Sequence, residues 1–231
     1  MKLTIAAVFL ASAISASAQE RPASDVARDA ERKPAEMVAF AGIKPGDSVG
    51  DFLPGGGYFT RVFASAVGPS GKVMAIIPAA AEAAYPGSTK AIGGLATRGW
   101  PTISVVESPL DPAMTGKLDA FWTAQNYHDL HNSQSADQIL GFNKAVFAAL
   151  KPGGVYVVVD HVAVDGSGTA ATKTLHRIDP ATVKAEVTAA GFRFDAESPA
   201  LRNPADARTA NVFDPAIRGK TDQMVYRFRK P

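Results

Sequence analysis

The sequence predicts a single doubly wound α/β domain, with a mostly parallel seven-stranded sheet and helices on both faces. Three observations carry this. Strand-like runs alternate with helical stretches along the chain, the grammar of βαβ units. One strand runs straight into a glycine cluster and then a helix. The run Val155–Val159 is apolar and β-branched without alternation, as expected of a strand covered on both faces.

In order along the chain, residues 23–41 are rich in Ala, Arg, Glu and Lys, with Pro34 suited to opening a second helical stretch and Gly42 to ending it. Lys44-Pro45-Gly46-Asp47 is turn chemistry ahead of a strand over Ser48–Phe52. After Gly55-Gly56-Gly57, apolar residues at 59, 62, 63, 66 and 67 keep helical spacing over Tyr58–Val67. Further strands are expected over Lys72–Ile77, Thr102–Glu107 and Leu118–Ala124, with a helix within Ala79–Thr97. An amphipathic helix spans Ser135–Leu150, its Phe142, Val146, Phe147 and Leu150 reading as core, and Lys151-Pro152-Gly153-Gly154 turns into the apolar run. Asp179-Pro180 opens a helix that ends near Ala190-Gly191, and Phe192–Glu197 and Asp222–Arg229 supply the last strands. The stretch 201–219 is long for a connection: either it covers the crevice as a lid, with Arg202, Asn203 and Arg218 facing an acceptor, or it is an ordered surface loop.

Composition narrows the chemistry. The chain has 231 residues, 46% hydrophobic and 20% charged, with a formal charge of +2. No basic run interleaved with aromatics is present, so nucleic acid is set aside as a partner in favour of a small molecule. The absence of Cys excludes thiol catalysis, disulfides and Cys-ligated metal. Residues 1–18 read as a secretory signal: Lys2, the apolar run Leu3–Ile14, and Ala16-Ser17-Ala18 before Gln19. The apolar run is shorter than the roughly 20 residues that span a bilayer. The expectation is a periplasmic or secreted domain over residues 19–231.

In a doubly wound sheet, ligands sit beyond the carboxyl ends of the strands where strand order reverses. There Asp51 ends the first strand and Gly55, Gly56 and Gly57 open the next helix, allowing close approach of backbone to a ligand. No Lys-Ser or Lys-Thr pair closes the glycines as a P-loop requires, and Thr60 stands where a dinucleotide fingerprint wants its third glycine. A carboxylate suits a cationic ligand such as S-adenosylmethionine, which carries an ammonium and a sulfonium. A turn whose glycines serve only backbone geometry is the plain alternative.

The chain resembles class I S-adenosylmethionine-dependent methyltransferases, and more narrowly a family of bacterial methyltransferases of unassigned substrate. The resemblance rests on Arg32-Lys33-Pro34-Ala35-Glu36, residues 51–60, Asn126-Tyr127-His128-Asp129, Lys151-Pro152-Gly153-Gly154, Val159-Asp160-His161, residues 176–180 and residues 213–222. It implies seven strands with the last antiparallel, S-adenosylmethionine across the first two strand ends, and methyl transfer to a small acceptor. Asn126 joins Asp51 and the glycines as an expected cofactor-binding residue. Two positions depart from the pattern: Leu53 stands where glycine is usual, and Ile77 where an acid usually holds the ribose hydroxyls. Leu53-Pro54-Gly55-Gly56 fits a type II turn, and Glu82 is a candidate for the missing ribose contact.

Methyl transfer asks the protein to align the reactants and, for a hydroxyl or amine acceptor, to take a proton. His128 and His161, after the fourth and fifth strands, are the candidate bases. Two rival functions use the same chain. His128, His131, His161 and His176 with Asp129 and Asp160 suffice for a metal-dependent hydrolase, although no helical register is expected to align His128 with His131. Alternatively the fold serves as a non-catalytic binding protein whose cofactor site has decayed.

Overall fold

The computed structural model describes residues 19–107 and 112–231; the expected signal segment lies outside them. Short helices α1 (Ala23–Val26), α2 (Asp29–Arg32) and α3 (Pro34–Ala41) precede strand β1 (Ser48–Phe52) and helix α4 (Tyr58–Val67). Next come β2 (Lys72–Ile76), α5 (Ala79–Ala84), α6 (Ser88–Gly93) and β3 (Ile103–Val106). Strand β4 (Leu118–Ala124), α7 (Tyr127–Leu130), α8 (Ala136–Ala149) and β5 (Leu150–His161) follow, then α9 (Thr172–Leu175), α10 (Pro180–Ala189), β6 (Arg193–Glu197) and β7 (Gln223–Arg229). The seven strands form one sheet in the order β3-β2-β1-β4-β5-β7-β6. Strands β1 to β5 pair in parallel, and β7 runs antiparallel to both β5 and β6.

Helix boundaries follow from local chemistry. Asp179 caps α10 by accepting from the Ala181 N–H, with Pro180 in the first turn, and Ser135 and Gln138 form a capping box on α8. The helix expected within residues 79–97 is broken by Pro86 and Gly87 into α5 and α6, since proline removes a ladder donor and Gly87 is left-handed at φ 93°. Helix α7 stands where no helical register is expected from sequence, and α9 where no element is.

The sheet is covered on both sides. Trp122 and Val157 join Met37, Phe59, Phe63 and Val67 of α3 and α4 in one buried layer. Their neighbours Phe121, Tyr156 and Val158 join Phe142 and Val146 of α8 and Val183 and Val187 of α10 in the other. Successive side chains on a strand point to opposite faces, so the unbroken apolar run of β5 is what two covered faces require.

The turn between α4 and β2 is set by Gly71, where an added Cβ would overlap the Val67 side chain and stand 2.8 Å from the Asp47 carbonyl. That carbonyl also accepts from Lys72 N–H at the start of the β1–β2 pairing. Gly71→Ala is therefore expected to lower unfolding free energy by about 1–3 kcal/mol, read as a shifted urea midpoint.

Candidate functional site

The strand order reverses between β1 and β4, and a cavity of about 430 Å³ opens beyond their carboxyl ends. Leu53, Pro54, Gly55 and Gly56 line it from the turn after β1, and Ala124, Gln125 and Asn126 from the end of β4. Ser24, Asp25, Arg28 and Arg32 close it from the N-terminal helices, with Tyr58 and Arg61 from α4. The N-terminal wall is held by charge. Arg61 makes two bonds to Asp25, at 2.7 and 2.8 Å, in a buried pair. Asp29 pairs with Arg21 and accepts from the Tyr58 hydroxyl at 2.6 Å. These contacts lie far apart in sequence, so the pocket-lining role of Arg28, Arg32, Tyr58 and Arg61 was not legible from a motif; the four-residue spacing of Arg28 and Arg32 is the one local hint.

Arg32 lines the cavity, and its charge acts on Asp51. Its guanidinium lies 5.0 Å from the Tyr58 ring centre and 5.6 Å from that of Phe59, and donates to Gln125 Oε1 at 3.1 Å. Its Nε is buried and has no hydrogen-bond partner, leaving a donor that a ligand acceptor can satisfy.

Asp51 departs from the expectation that it meets a ligand directly. It is 2% exposed, does not line the cavity, and accepts from the Thr60 hydroxyl at 2.6 Å. Burial drives its carboxyl from the ordinary 3.8 up to about 7, against the opposing pulls of the Thr60 bond and the Arg32 charge. The acid is thus a floor beneath the cavity, poised between protonated and ionised near neutrality.

The glycines divide their labour. At Gly55 and Gly56 an added Cβ would meet no atom within 4 Å, whereas at Gly57 it would stand 3.0 Å from both Arg61 and Ile92. Gly57 therefore seats α4 against its neighbours and does not line the cavity. The turn closes through Gly57 N–H to the Pro54 carbonyl at 2.9 Å, one residue later than the expected Leu53–Gly56 turn. Leu53 itself is left-handed at φ 52°, which explains why glycine would be easier there. Asn126 stabilises this strained residue: its side-chain amide donates to the Phe52 and Leu53 carbonyls at 3.2 and 3.1 Å while the residue still lines the cavity. At the β2 end, Ile77 is buried in the core. Glu82 is no substitute acid, because its two oxygens accept from Gly87 and Thr89 N–H at the start of α6.

The histidines gather elsewhere. His128 on α7 is buried, with Nδ1 2.8 Å from Asp160 Oδ1 and Nε2 3.2 Å from His176 Nδ1. Burial disfavours its charge, but Asp160 and Asp129 outweigh this and raise its pKa to about 10. His161 bonds Thr221 through Nδ1 at 2.7 Å, and burial, aided by the charges of His128 and Arg177, lowers its pKa to about 4 against the opposing pull of Asp160. Neither histidine lines the cavity. Asp160 and Asp129 thus favour the charged form of His128 and burial the neutral form of His161, and the two nominated bases stand outside the cavity lining. His131 sits apart, 3.3 Å from Glu186.

The 201–219 segment is anchored rather than offered to a substrate. Buried Arg177 pairs with Asp206 and donates to the carbonyls of Val162 and Ala210. Arg202 bonds Asp222 and Glu197, and the Asn203 amide bonds the Lys220 carbonyl, while Arg218 lies over Phe213. The expected acceptor-facing role of Arg202 and Asn203 thus gives way to tethering.

No protein-family model matches the sequence, and no curated protein matches it. Solved structures share its fold. An S-adenosylmethionine-dependent methyltransferase from Aquifex aeolicus superposes with TM-score 0.62 at 17% identity, covering 92% of this chain and 100% of that one. The [4+2]-cyclase SpnF gives 0.61 at 16%, covering 87% and 80%. Fibrillarin from Aeropyrum pernix, solved with natively bound S-adenosyl-L-methionine, gives 0.54 at 13%, covering 87% and 76%. At these identities the likeness establishes the architecture: this chain has the class I methyltransferase fold.

Two outcomes follow for the site. Because the folded-state pKa of Asp51 is raised, its contribution to stability is full below its ordinary value of 3.8 and is lost as pH rises towards about 7. Asp51→Asn, which keeps an acceptor for Thr60, should therefore be the more stable protein at pH 8, by on the order of a few kcal/mol, and should lose that advantage at low pH. Urea denaturation across pH measures this; a less stable Asn variant at pH 8 would mean that Arg32 holds the acid ionised. Asn126→Asp should cost about 1–3 kcal/mol, because it removes both donors and aims a carboxylate at two carbonyls.

Proposed function

We propose that the protein binds S-adenosylmethionine in the β1–β4 cavity and transfers its methyl group to a small acceptor. The observation that carries this reading is the pairing of an open glycine turn with a cationic wall at the fold's switch point: Gly55 and Gly56 on one side, Arg28 and Arg32 on the other. The cavity volume of about 430 Å³ lies within the range of small-molecule sites.

The residues suit the amino-acid end of that ligand. The unpartnered Arg32 Nε would take a carboxylate, with Arg28 adding charge at the cavity mouth. Asp51 acts from beneath the floor through its charge: a cation above it favours the ionised form and draws its proton off. The ribose end is less provided for, since Ile77 is core and Glu82 is engaged. Weaker binding than an acid-bearing second strand gives is the consequence. When bound, S-adenosylmethionine supplies an electrophilic methyl group; the chain's part is to hold and align. Since neither His128 nor His161 lines the cavity, the site favours an acceptor that needs no base from these two residues. The Lys2-to-Ala18 signal pattern supports export of the mature domain to the periplasm or beyond.

Thermal shift of residues 19–231 with S-adenosylhomocysteine tests the reading. At a hundredfold excess over Kd the ligand should stabilise by about 2.7 kcal/mol. Gly56→Val and Arg32→Ala should each abolish the shift. The valine variant is the cleaner probe, because its Cβ meets no atom of the protein within 4 Å. No shift at millimolar nucleoside, or an equal shift in both variants, would refute it.

A further inference from the structure

We infer that His128, Asp129 and His176 form a binding site for one divalent transition-metal ion, beyond the methyl-transfer cavity and independent of it. Three ligand atoms from three side chains converge on one point. His128 Nε2 lies 3.2 Å from His176 Nδ1 and 3.3 Å from Asp129 Oδ1, and the latter two are 3.7 Å apart. A divalent ion with bonds of about 2.0–2.1 Å at tetrahedral angles sets its ligand atoms about 3.3 Å apart. The triangle therefore has the dimensions of one face of a coordination tetrahedron.

The surroundings orient these donors as a metal site requires. The buried Asp160 carboxylate accepts from both the His128 backbone N–H and Nδ1, at 2.8 Å each, which directs Nε2 towards the centre. Asp160 also accepts from His161 N–H at 2.7 Å and is fully enclosed. Asn132 donates to Asp129 Oδ1 at 3.0 Å and holds that carboxylate in place. His176 is a non-glycine residue held left-handed at φ 54°, at the end of α9, with its ring packed 4.8 Å from that of half-exposed Phe213.

Chemistry selects the ion. Two imidazoles and one carboxylate suit zinc, iron, nickel or copper over magnesium or calcium. Three donors on one face leave at least one position open to water or an anionic oxygen. Asp129 is 46% exposed at its side chain and His176 28%, so the ion can enter from solvent. His131 and His161, engaged with Glu186 and Thr221, stand outside the set.

The test uses the tag-free mature chain, stripped with a chelator and desalted, and no nucleoside, so its outcome is separate from that of the methyltransferase reading. Calorimetric titration with zinc should give one saturable site of micromolar or tighter affinity, and magnesium should give none. Cobalt in place of zinc should show visible bands of a four- or five-coordinate site. His176→Ala and Asp129→Ala, both at partly exposed positions and checked for folding by circular dichroism, should each weaken zinc binding at least tenfold. The exposed control Asp137→Ala should leave it unchanged. Absence of saturable binding at millimolar zinc, or affinity that is equal in both ligand variants and the parent, would overturn the proposal.

Discussion

Everything at the strand ends depends on a backbone that must leave β1, turn, and enter α4 without side chains in the way. Leu53 takes a left-handed conformation there, Gly55 and Gly57 take two more, and Asn126 reaches across from β4 to hold the first of them by two carbonyls. The turn is thus clamped to the residue that follows β4, and the cavity opens beyond the two strand ends.

Charge then decides what the cavity suits. Behind its lining, at the end of β1, lies a buried acid bonded to Thr60, and its wall includes a half-buried arginine beside the rings of Tyr58 and Phe59. Burial pushes Asp51 towards its neutral form, and Arg32 keeps one donor without a partner. Interiors seldom leave polar groups in such a state without a ligand or a functional strain to account for it. A molecule that carries both signs of charge would relieve both.

The sheet was readable from sequence because its strands are buried on both faces, which leaves unbroken apolar runs such as Val155–Val159. Helix starts were readable where caps are local, as at Asp179-Pro180. Pro86-Gly87 breaks the helix expected within residues 79–97, where the Ala-rich composition on its N-terminal side favours continuation. Asp51 and the glycines announce a strand-end turn, yet nothing local tells that Thr60 closes over the acid or that Gly57 faces Arg61 and Ile92. The arginine wall depends on Asp25 meeting Arg61, 36 residues away, and the His128–His176 contact joins residues 48 apart. Such pairings are properties of the folded chain, and a single sequence carries no local signal for them. The four histidines could be counted but not sorted: the fold puts two of them with Asp129 and sends the other two to Glu186 and Thr221.

A crystal structure of the mature domain grown with saturating S-adenosylhomocysteine tests the central claim most directly. The account predicts density for the nucleoside between the Gly55-Gly56 turn and α2, with its carboxylate on Arg32 and its ammonium above Asp51. Density confined to solvent in that cavity, with Arg32 still resting on Gln125, would contradict it and leave only the architecture standing.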